Sequence, residues 1–436
     1  MYVTTIAKLL KQPIPENNRW IPHFSINSKE IRKGSLFFAL EGKRVDGTSF
    51  LREVAQKGSR VAIVPLTYCG NSYGLQLFFV DNVIVALQKI AQEKMRTISS
   101  TQVIAITGSI GKTTSKEYLF ALLQNHFSVF RTPKNYNSQV GLPISLLNAP
   151  SDHQIYVVEM GMSEKGNIQQ LVQIVPPTIA WITQISHSHF SSFSSLEEIA
   201  QEKSAIFTSP RLQSRIVNQD ILYYHCIQPL LDKNTIICGR DIQLLPRTNS
   251  FQIRYFEELS PSFSLPASGK HLLDNLVGAI AIAKWLGLSF QDIFASINTL
   301  PVVPHRFEKK SYRGITFIDD SYNANADSTI AALYNLPKTV GRKILVFADM
   351  HELGNYTGEA HERVAKTALS LMNACFCLGD ASKVISDLFI SHGKPGHHFT
   401  DRGLMFHSVI QYVKEGDVVL VKGANQYKLW EIIPQL

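Results

Sequence analysis

The stretch that most restricts how this chain can fold runs from Val103 to residue 124. Val103-Ile104-Ala105-Ile106-Thr107 passes directly into Gly108-Ser109-Ile110-Gly111-Lys112-Thr113-Thr114, and a helical pattern over 115–124 follows. A buried strand, a glycine turn and a helix start, in that order, turn backbone N–H groups toward an anion at the positive end of a helix. The Lys of such a loop reaches the β and γ phosphates, and the Thr hydroxyl is a Mg²⁺ ligand. The general form G-x-x-x-x-G-K-[ST] wants glycine at 106, where Ile106 stands, so the loop is a shortened variant. The competing reading is a glycine turn with a surface lysine, which the strand–loop–helix setting disfavours.

The same alternation continues through the chain. Before the loop, Ser35-Leu36-Phe37-Phe38-Ala39-Leu40 and Val61-Ala62-Ile63-Val64-Pro65 read as buried strands, with helices over 50–58 and 83–96. The polar segment 97–102 marks a boundary. After the loop, Ile155-Tyr156-Val157-Val158-Glu159 and Ile179-Ala180-Trp181-Ile182-Thr183 are further strands, 212–266 is more β-like, and a helix covers 272–286. The pattern restarts after Pro301-Val302-Val303-Pro304, with strands at 316–320, 343–347 and 418–421. Strands alternating with helices imply parallel sheets with right-handed crossovers. At about 150 residues per domain, 436 residues accommodate roughly three. The expectation is α/β, in three domains: 1–100, 101–304 and 305–436.

Composition excludes some classes. With 45% hydrophobic and 18% charged residues, the chain can bury several cores and is neither disordered nor fibrous. The net charge of +8 suits anionic small molecules, but without a basic run or stripe it argues for no nucleic acid. The longest apolar stretch, 276–283, falls short of the ~18 residues of a membrane span. The first residues lack a signal-peptide core. Cys375-Phe376-Cys377 has the wrong spacing for a zinc or CxxC redox site, so the five cysteines read as reduced thiols of a cytoplasmic protein. Polar interruptions on most helices offer no large apolar interface, and a monomer is expected.

Other residues are singled out by position. Glu159 ends a strand on the edge where parallel sheets bind ligands, and a carboxylate there suits Mg²⁺. His189, in His187-Ser188-His189, follows the next strand. Asp319-Asp320 end another, ahead of Ser321-Tyr322-Asn323-Ala324-Asn325, which reads as a ligand-binding edge or as a capped turn. On spacing alone Lys203 is a solvated lysine of a helix, and Asn135-Tyr136-Asn137-Ser138 a loop.

Together these residues resemble the Mur ligase family, the ATP-dependent amide-forming enzymes of bacterial cell-wall precursor synthesis. The loop from Thr107 to Thr114 is similar to the family's T-G-x-x-G-K-T, Asn135 to Pro143 to its N-x-N-x-x-x-G-x-P, and Glu159-Met160-Gly161 to its E-M-G. His189 with Phe193 and Ser195 resembles its H-x-x-x-F-x-S. The resemblance implies ATP contacts by Gly108, Ser109, Ile110, Gly111, Lys112, Thr113 and Thr114. It implies catalytic roles for Lys112, Glu159, His189 and Lys203, and Mg²⁺ held by Thr113, Glu159, His189 and a carbamate on Lys203.

Gly269-Lys270-His271-Leu272-Leu273-Asp274-Asn275 resembles G-x-H-N-x-x-N, with Leu272 for the usual Asn, which makes Asn275 the adenine contact. His305-Arg306-Phe307-Glu308 resembles a hinge R-x-E that brings Arg306 to the phosphates, and Asp320 joins the ATP set. Residues 319–325 are similar to D-D-x-Y-N-A-N, and 348–354 to G-D-M-x-E-L-G with Ala348 for Gly. Both mark the branch that adds D-alanyl-D-alanine to UDP-N-acetylmuramoyl-tripeptide. Substrate contacts are thereby implied for Asn135, Asn137, Asn323 and Asn325. Asn27-Ser28-Lys29 and the segment 41–47 resemble UDP-sugar-binding segments and implicate Ser28, Lys29 and Asp46.

The resemblance thus implies a small N-terminal α/β UDP-binding domain, a central P-loop parallel-sheet ATPase domain and a C-terminal Rossmann-like α/β domain. The reaction it implies passes through an acyl phosphate, with the C-terminal domain closing on the central one. A sister ligase, adding the third amino acid or a glutamate to folate, would lack the 319–325 and 349–354 signatures together. A degenerate module that only binds ATP would not be expected to retain Lys112, Thr113, Glu159, His189 and Lys203.

Overall fold

The strand Gln102–Thr107 lies inside a nine-stranded sheet, parallel to Ile155–Glu159 on one side and Ile179–Ile182 on the other. Its side chains alternate between two buried faces, which is why the run is apolar throughout. Ile104 and Ile106 pack with Leu119 and Leu122 of helix Lys112–Leu123 and with Ile280 of helix Lys270–Trp285. Val103 and Ala105 face Leu142 and Leu146 of helix Gly141–Asn148 and Leu171 of helix Asn167–Ile174. The structure, a computed structural model, describes residues 1–42, 45–98, 100–187, 190–248, 250–264 and 270–435.

The rest of this sheet runs outward from Val129–Arg131 at one edge through Ser214–Asn218, Thr235–Cys238 and Ile242–Pro246, all parallel. It ends in the antiparallel strands Phe251–Tyr255 and Glu258–Leu259. A smaller parallel sheet precedes it: Phe24–Ser25, Leu36–Phe38, Val61–Pro65 and Gln76–Val80, in sequence order. Helix Val83–Thr97 joins the two, since Leu87 and Ile90 share a core with Ile63 and with Leu142. Asn148 adds a polar clamp, accepting from the Phe24 N–H (2.9 Å) and donating to its carbonyl (2.8 Å).

The third sheet has the order Glu308–Tyr312, Ile315–Asp319, Val418–Lys422, Lys343–Ala348, Ala374–Leu378, Gly396–Phe399. Only its first strand is antiparallel.

The sequence reading misses several edge strands for a physical reason. Phe24–Ser25 is two residues long, Glu308–Tyr312 is largely charged, and Gly396–Phe399 is half-buried, so none carries an apolar run. The helix after the glycine loop starts at Lys112, ahead of the expected 115, because Gly111 in the left-handed region (φ 87°) is its N-cap. All five cysteines are free thiols. Among the described residues no helix is long and apolar enough to cross a membrane.

Candidate nucleotide and metal site

The loop after Gln102–Thr107 is shaped by neighbours that leave no room for side chains. A Cβ on Gly108 (φ 150°) would overlap the Thr183 hydroxyl, and one on Gly111 would overlap the Asn275 amide. Ser109 is tied on both sides to the segment after the next strand: its N–H donates to Gln184 O (2.7 Å) and its hydroxyl to Ser186 O (3.0 Å). Lys112 folds back to donate to Gly108 O at 2.7 Å. Burial pushes its ammonium pKa down, with Arg306 adding to the effect and the Glu159 carboxylate opposing it.

Glu159, at the carboxyl end of its strand, is 1% exposed. The Thr113 hydroxyl donates to its Oε2 at 3.0 Å and the Asn137 amide to its Oε1 at 2.7 Å. Thr113, Asn137 and Glu159 therefore meet in one cluster beside the loop. Lys203 is 1% exposed, contrary to its reading as a solvated lysine. Burial drives its pKa well below the ordinary value, helped by repulsion from Lys112 and opposed by Glu202. Glu202 itself caps the helix Asn167–Ile174, accepting from the N–H groups of Gly166 (2.7 Å) and Ile168 (2.8 Å). His189 lies outside the described residues, as do Lys43 and Arg44 of the segment 41–47 and Gly269.

A cleft of about 260 Å³ opens beside the loop, with one wall from each of two sheets. Ser109, Gly111, Thr114 and Asn275 line one side, and Arg306, Asp320, Asn323 and Asn325 the other. The Arg306 guanidinium rests 3.9 Å from the Tyr322 ring centroid. The adjacent aspartates part ways. Asp319 is fully buried and accepts from Ser321, Lys310 (2.9 Å) and His305 (2.8 Å), whereas Asp320 lines the cleft and pairs with Lys422 at 2.6 Å. Asn325 Oδ1 caps helix Ala326–Tyr334 by accepting from Ser328 N (2.8 Å), so the capped-turn reading holds for that atom.

Ser28, Lys29 and Asp46 do not line this cleft. Ser28 and Lys29 sit in a short turn after Phe24–Ser25, and both Asp46 oxygens are engaged by Thr48 (2.9 and 2.7 Å) after the neighbouring parallel strand. Two charged residues escape the sequence reading. Lys422 ends an apolar strand just as Glu159 does, and Lys116 stands one helical turn beyond Lys112. Those positions are the signals that could have found them.

A shortened phosphate loop on a parallel sheet, facing a second α/β sheet across a charged cleft, defines a nucleotide-binding protein that works between two units. Residues 106–283 match the Mur ligase middle domain, and 305–425 match the Mur ligase, glutamate ligase domain. The UDP-N-acetylmuramoyl-tripeptide–D-alanyl-D-alanine ligase of Buchnera aphidicola subsp. Baizongia pistaciae is 31% identical, over 95% of this chain and 92% of its own. The solved structure of MurF from Acinetobacter baumannii superposes with a TM-score of 0.86 at 26% identity, covering 99% of this chain and 97% of that one. MurF ligase from Thermotoga maritima, solved in complex with ADP, does so at 0.81 and 28%, covering 94% and 96%. The chain belongs to the Mur ligase family, in the branch of these D-alanyl-D-alanine ligases.

Proposed function

We propose that this chain is an ATP-dependent amide-bond ligase that joins D-alanyl-D-alanine to UDP-N-acetylmuramoyl-tripeptide, releasing ADP and phosphate. The observation that carries the reading is the Glu159 carboxylate, held by Thr113 and Asn137 beside a phosphate loop that itself lines a cleft with Arg306, Asp320 and Lys422 on the far wall. Residues 1–100 bind the UDP-sugar, 101–304 bind ATP and 305–436 complete the ligase site. The protein works as a monomer in the cytoplasm.

The loop N–H groups and Lys112 orient and neutralise the ATP phosphates, and Arg306 adds positive charge from the third sheet. Asn275 contacts the adenine, and Asp320 fixes the Lys422 ammonium beside the nucleotide. The tripeptide carboxylate attacks the γ-phosphorus, ADP leaves, and an acyl phosphate forms. The amine of D-alanyl-D-alanine then attacks the acyl carbon and phosphate leaves. Ser28, Lys29 and Asp46 hold the UDP end, with Asn135, Asn137, Asn323 and Asn325 along the peptides. Closing the cleft keeps water from the acyl phosphate.

A nearly buried carboxylate joined to a hydroxyl is a hard oxygen donor set, and it fits Mg²⁺. Thr113, Glu159, His189 and Lys203 as its carbamate would hold the ion. Bound there, Mg²⁺ draws charge from the phosphates.

The test is phosphate release from ATP with UDP-N-acetylmuramoyl-tripeptide, with and without D-alanyl-D-alanine. Release that needs both is expected. Release with a free amino acid and a shorter acceptor would move the protein to a sister ligase, and no release with any acceptor would sink the reading.

A further inference from the structure

Lys116 is fully buried, and nothing in the mechanism above uses it. Its surroundings explain why a lysine is there. The strand Val129–Arg131 runs beside Ile155–Glu159, and Thr132 extends the pairing by donating its N–H to Val157 O (3.0 Å) and accepting from the Glu159 N–H (3.2 Å) at its hydroxyl. The ladder stops there because Pro133 has no N–H to donate. Lys134 then turns the chain away in the left-handed region, with φ at 49°. The carbonyls at this break would be orphans, and a buried carbonyl without a donor is costly. The Lys116 ammonium supplies both, donating to Thr132 O at 2.8 Å and Lys134 O at 2.5 Å.

The turn so anchored delivers Asn137. Its N–H donates to Asn135 O (2.8 Å), its carbonyl accepts from Gly161 N (2.7 Å), and its amide reaches Glu159 Oε1. The ammonium also lies 3.8 Å from Glu159 Oε2 and 3.4 Å from Glu117, so its charge is met from two sides. Every polar contact that orients the Glu159 carboxylate from the 132–138 loop passes through the turn that Lys116 holds.

We propose that Lys116 is a positioning residue for the metal side of this site, its ammonium gathering the Thr132 and Lys134 carbonyls so that Asn137 aims Glu159 at the cation. The inference rests on Glu159 being a Mg²⁺ ligand. Lys116 does not line the cleft and its ammonium bonds no residue of the phosphate loop, so its loss affects the metal and spares the nucleotide alone. Groups that orient a ligand from behind typically govern metal affinity by about 10–100-fold.

The experiment is calorimetric titration of ADP into the full chain, with and without Mg²⁺, for the wild type and Lys116→Met. The wild type should bind ADP more tightly with Mg²⁺. In the variant that gain should shrink about tenfold, with metal-free ADP affinity held within about twofold. A variant that keeps the whole Mg²⁺ gain while melting earlier would show a purely structural lysine and overturn the proposal. A wild type without any Mg²⁺ gain would remove the Glu159 reading, and this inference with it. Should Lys116→Met bind no ADP in either condition, Lys116→Gln, shorter and uncharged, carries the same comparison with the same outcomes.

Discussion

A buried lysine needs a counter-charge or a reason to be neutral, and the Lys203 side chain makes no hydrogen bond or ion pair among the described residues. Burial and the nearby Lys112 both favour its neutral amine, the form that adds carbon dioxide to give a carbamate and a proton. The product is an oxygen donor beside a candidate Mg²⁺ site, in place of a cation that would repel the ion. With ¹³C-bicarbonate, the wild type should show a carbamate resonance that acid abolishes, and Lys203→Met should not. Identical spectra from the two would end the carbamate assignment. Periodicity places Lys203 on a helix, but no pattern within 196–206 tells a buried lysine from a solvated one. Its neighbour in sequence, Glu202, turns to the N–H groups of Gly166 and Ile168 instead of pairing with it.

At the scale of elements, strand ends matter more than strand centres. The strand Lys343–Ala348 delivers Asp349 and Met350 to a turn pinned from two helices. Asp349 accepts from the N–H groups of Ser382 (2.7 Å) and Ala381 (3.2 Å) at the start of helix Lys383–Ser391. From helix Thr357–Leu371, the buried His361 donates from Nδ1 to Thr357 O (2.7 Å) and accepts the Met350 N–H at Nε2 (3.1 Å). The bond accepted at Nε2 requires the neutral ring, and burial holds its pKa below the ordinary value although the Nδ1 bond to Thr357 O opposes the shift. Above about pH 6.5 the ring is neutral in both folded and unfolded chains and costs nothing. Below that, the unfolded chain takes up a proton that the folded one refuses, so stability falls with pH until the lowered folded pKa is reached. Between about pH 7 and 5 the wild-type melting temperature should therefore drop more steeply than that of His361→Gln. Parallel curves would contradict this.

That turn belongs to the 348–354 signature, legible in the sequence as a motif. Its histidine anchor was not, because it lies on another element. Buried central strands such as Ile155–Glu159 were legible from their unbroken apolar runs. Short or charged edge strands were not, since their pairing depends on a neighbour distant in sequence.

Across the whole molecule, the central and third sheets are latched beside the cleft. His187 stacks on Tyr356 (4.5 Å between centroids) and lies against Phe190 (5.0 Å). Ser191 N donates to Glu352 O at 3.1 Å, and His187 Nδ1 lies 3.7 Å from Asp327 Oδ2 on the cleft wall. Gly354 is the tightest point: φ is 52°, and a Cβ there would sit 3.0 Å from Phe190 O and 3.3 Å from Ser191 Cα. Gly354→Val should force the latch apart while each sheet keeps its own core. A rise in the radius of gyration with ADP bound is expected, with kcat/KM lower by about tenfold, the equivalent of ~1.4 kcal/mol. Unchanged scattering and kinetics would show that the latch does not hold the cleft closed.

Local order alone determined the phosphate loop: a strand, two glycines and a helix start suffice to turn N–H groups toward an anion, and all lie within twenty-odd residues of chain. It likewise determined the α/β class, because a strand buried on both faces has to be apolar throughout. Tertiary structure decided which polar residues were drawn inside. Glu159 is gripped by Thr113 and Asn137 from separate elements, Asp319 turns inward while Asp320 faces the cleft, and Lys116 closes a break in a ladder sixteen residues away. The physical reason is that a buried charge survives only if distant parts of the chain bring it partners, and no local pattern encodes those partners.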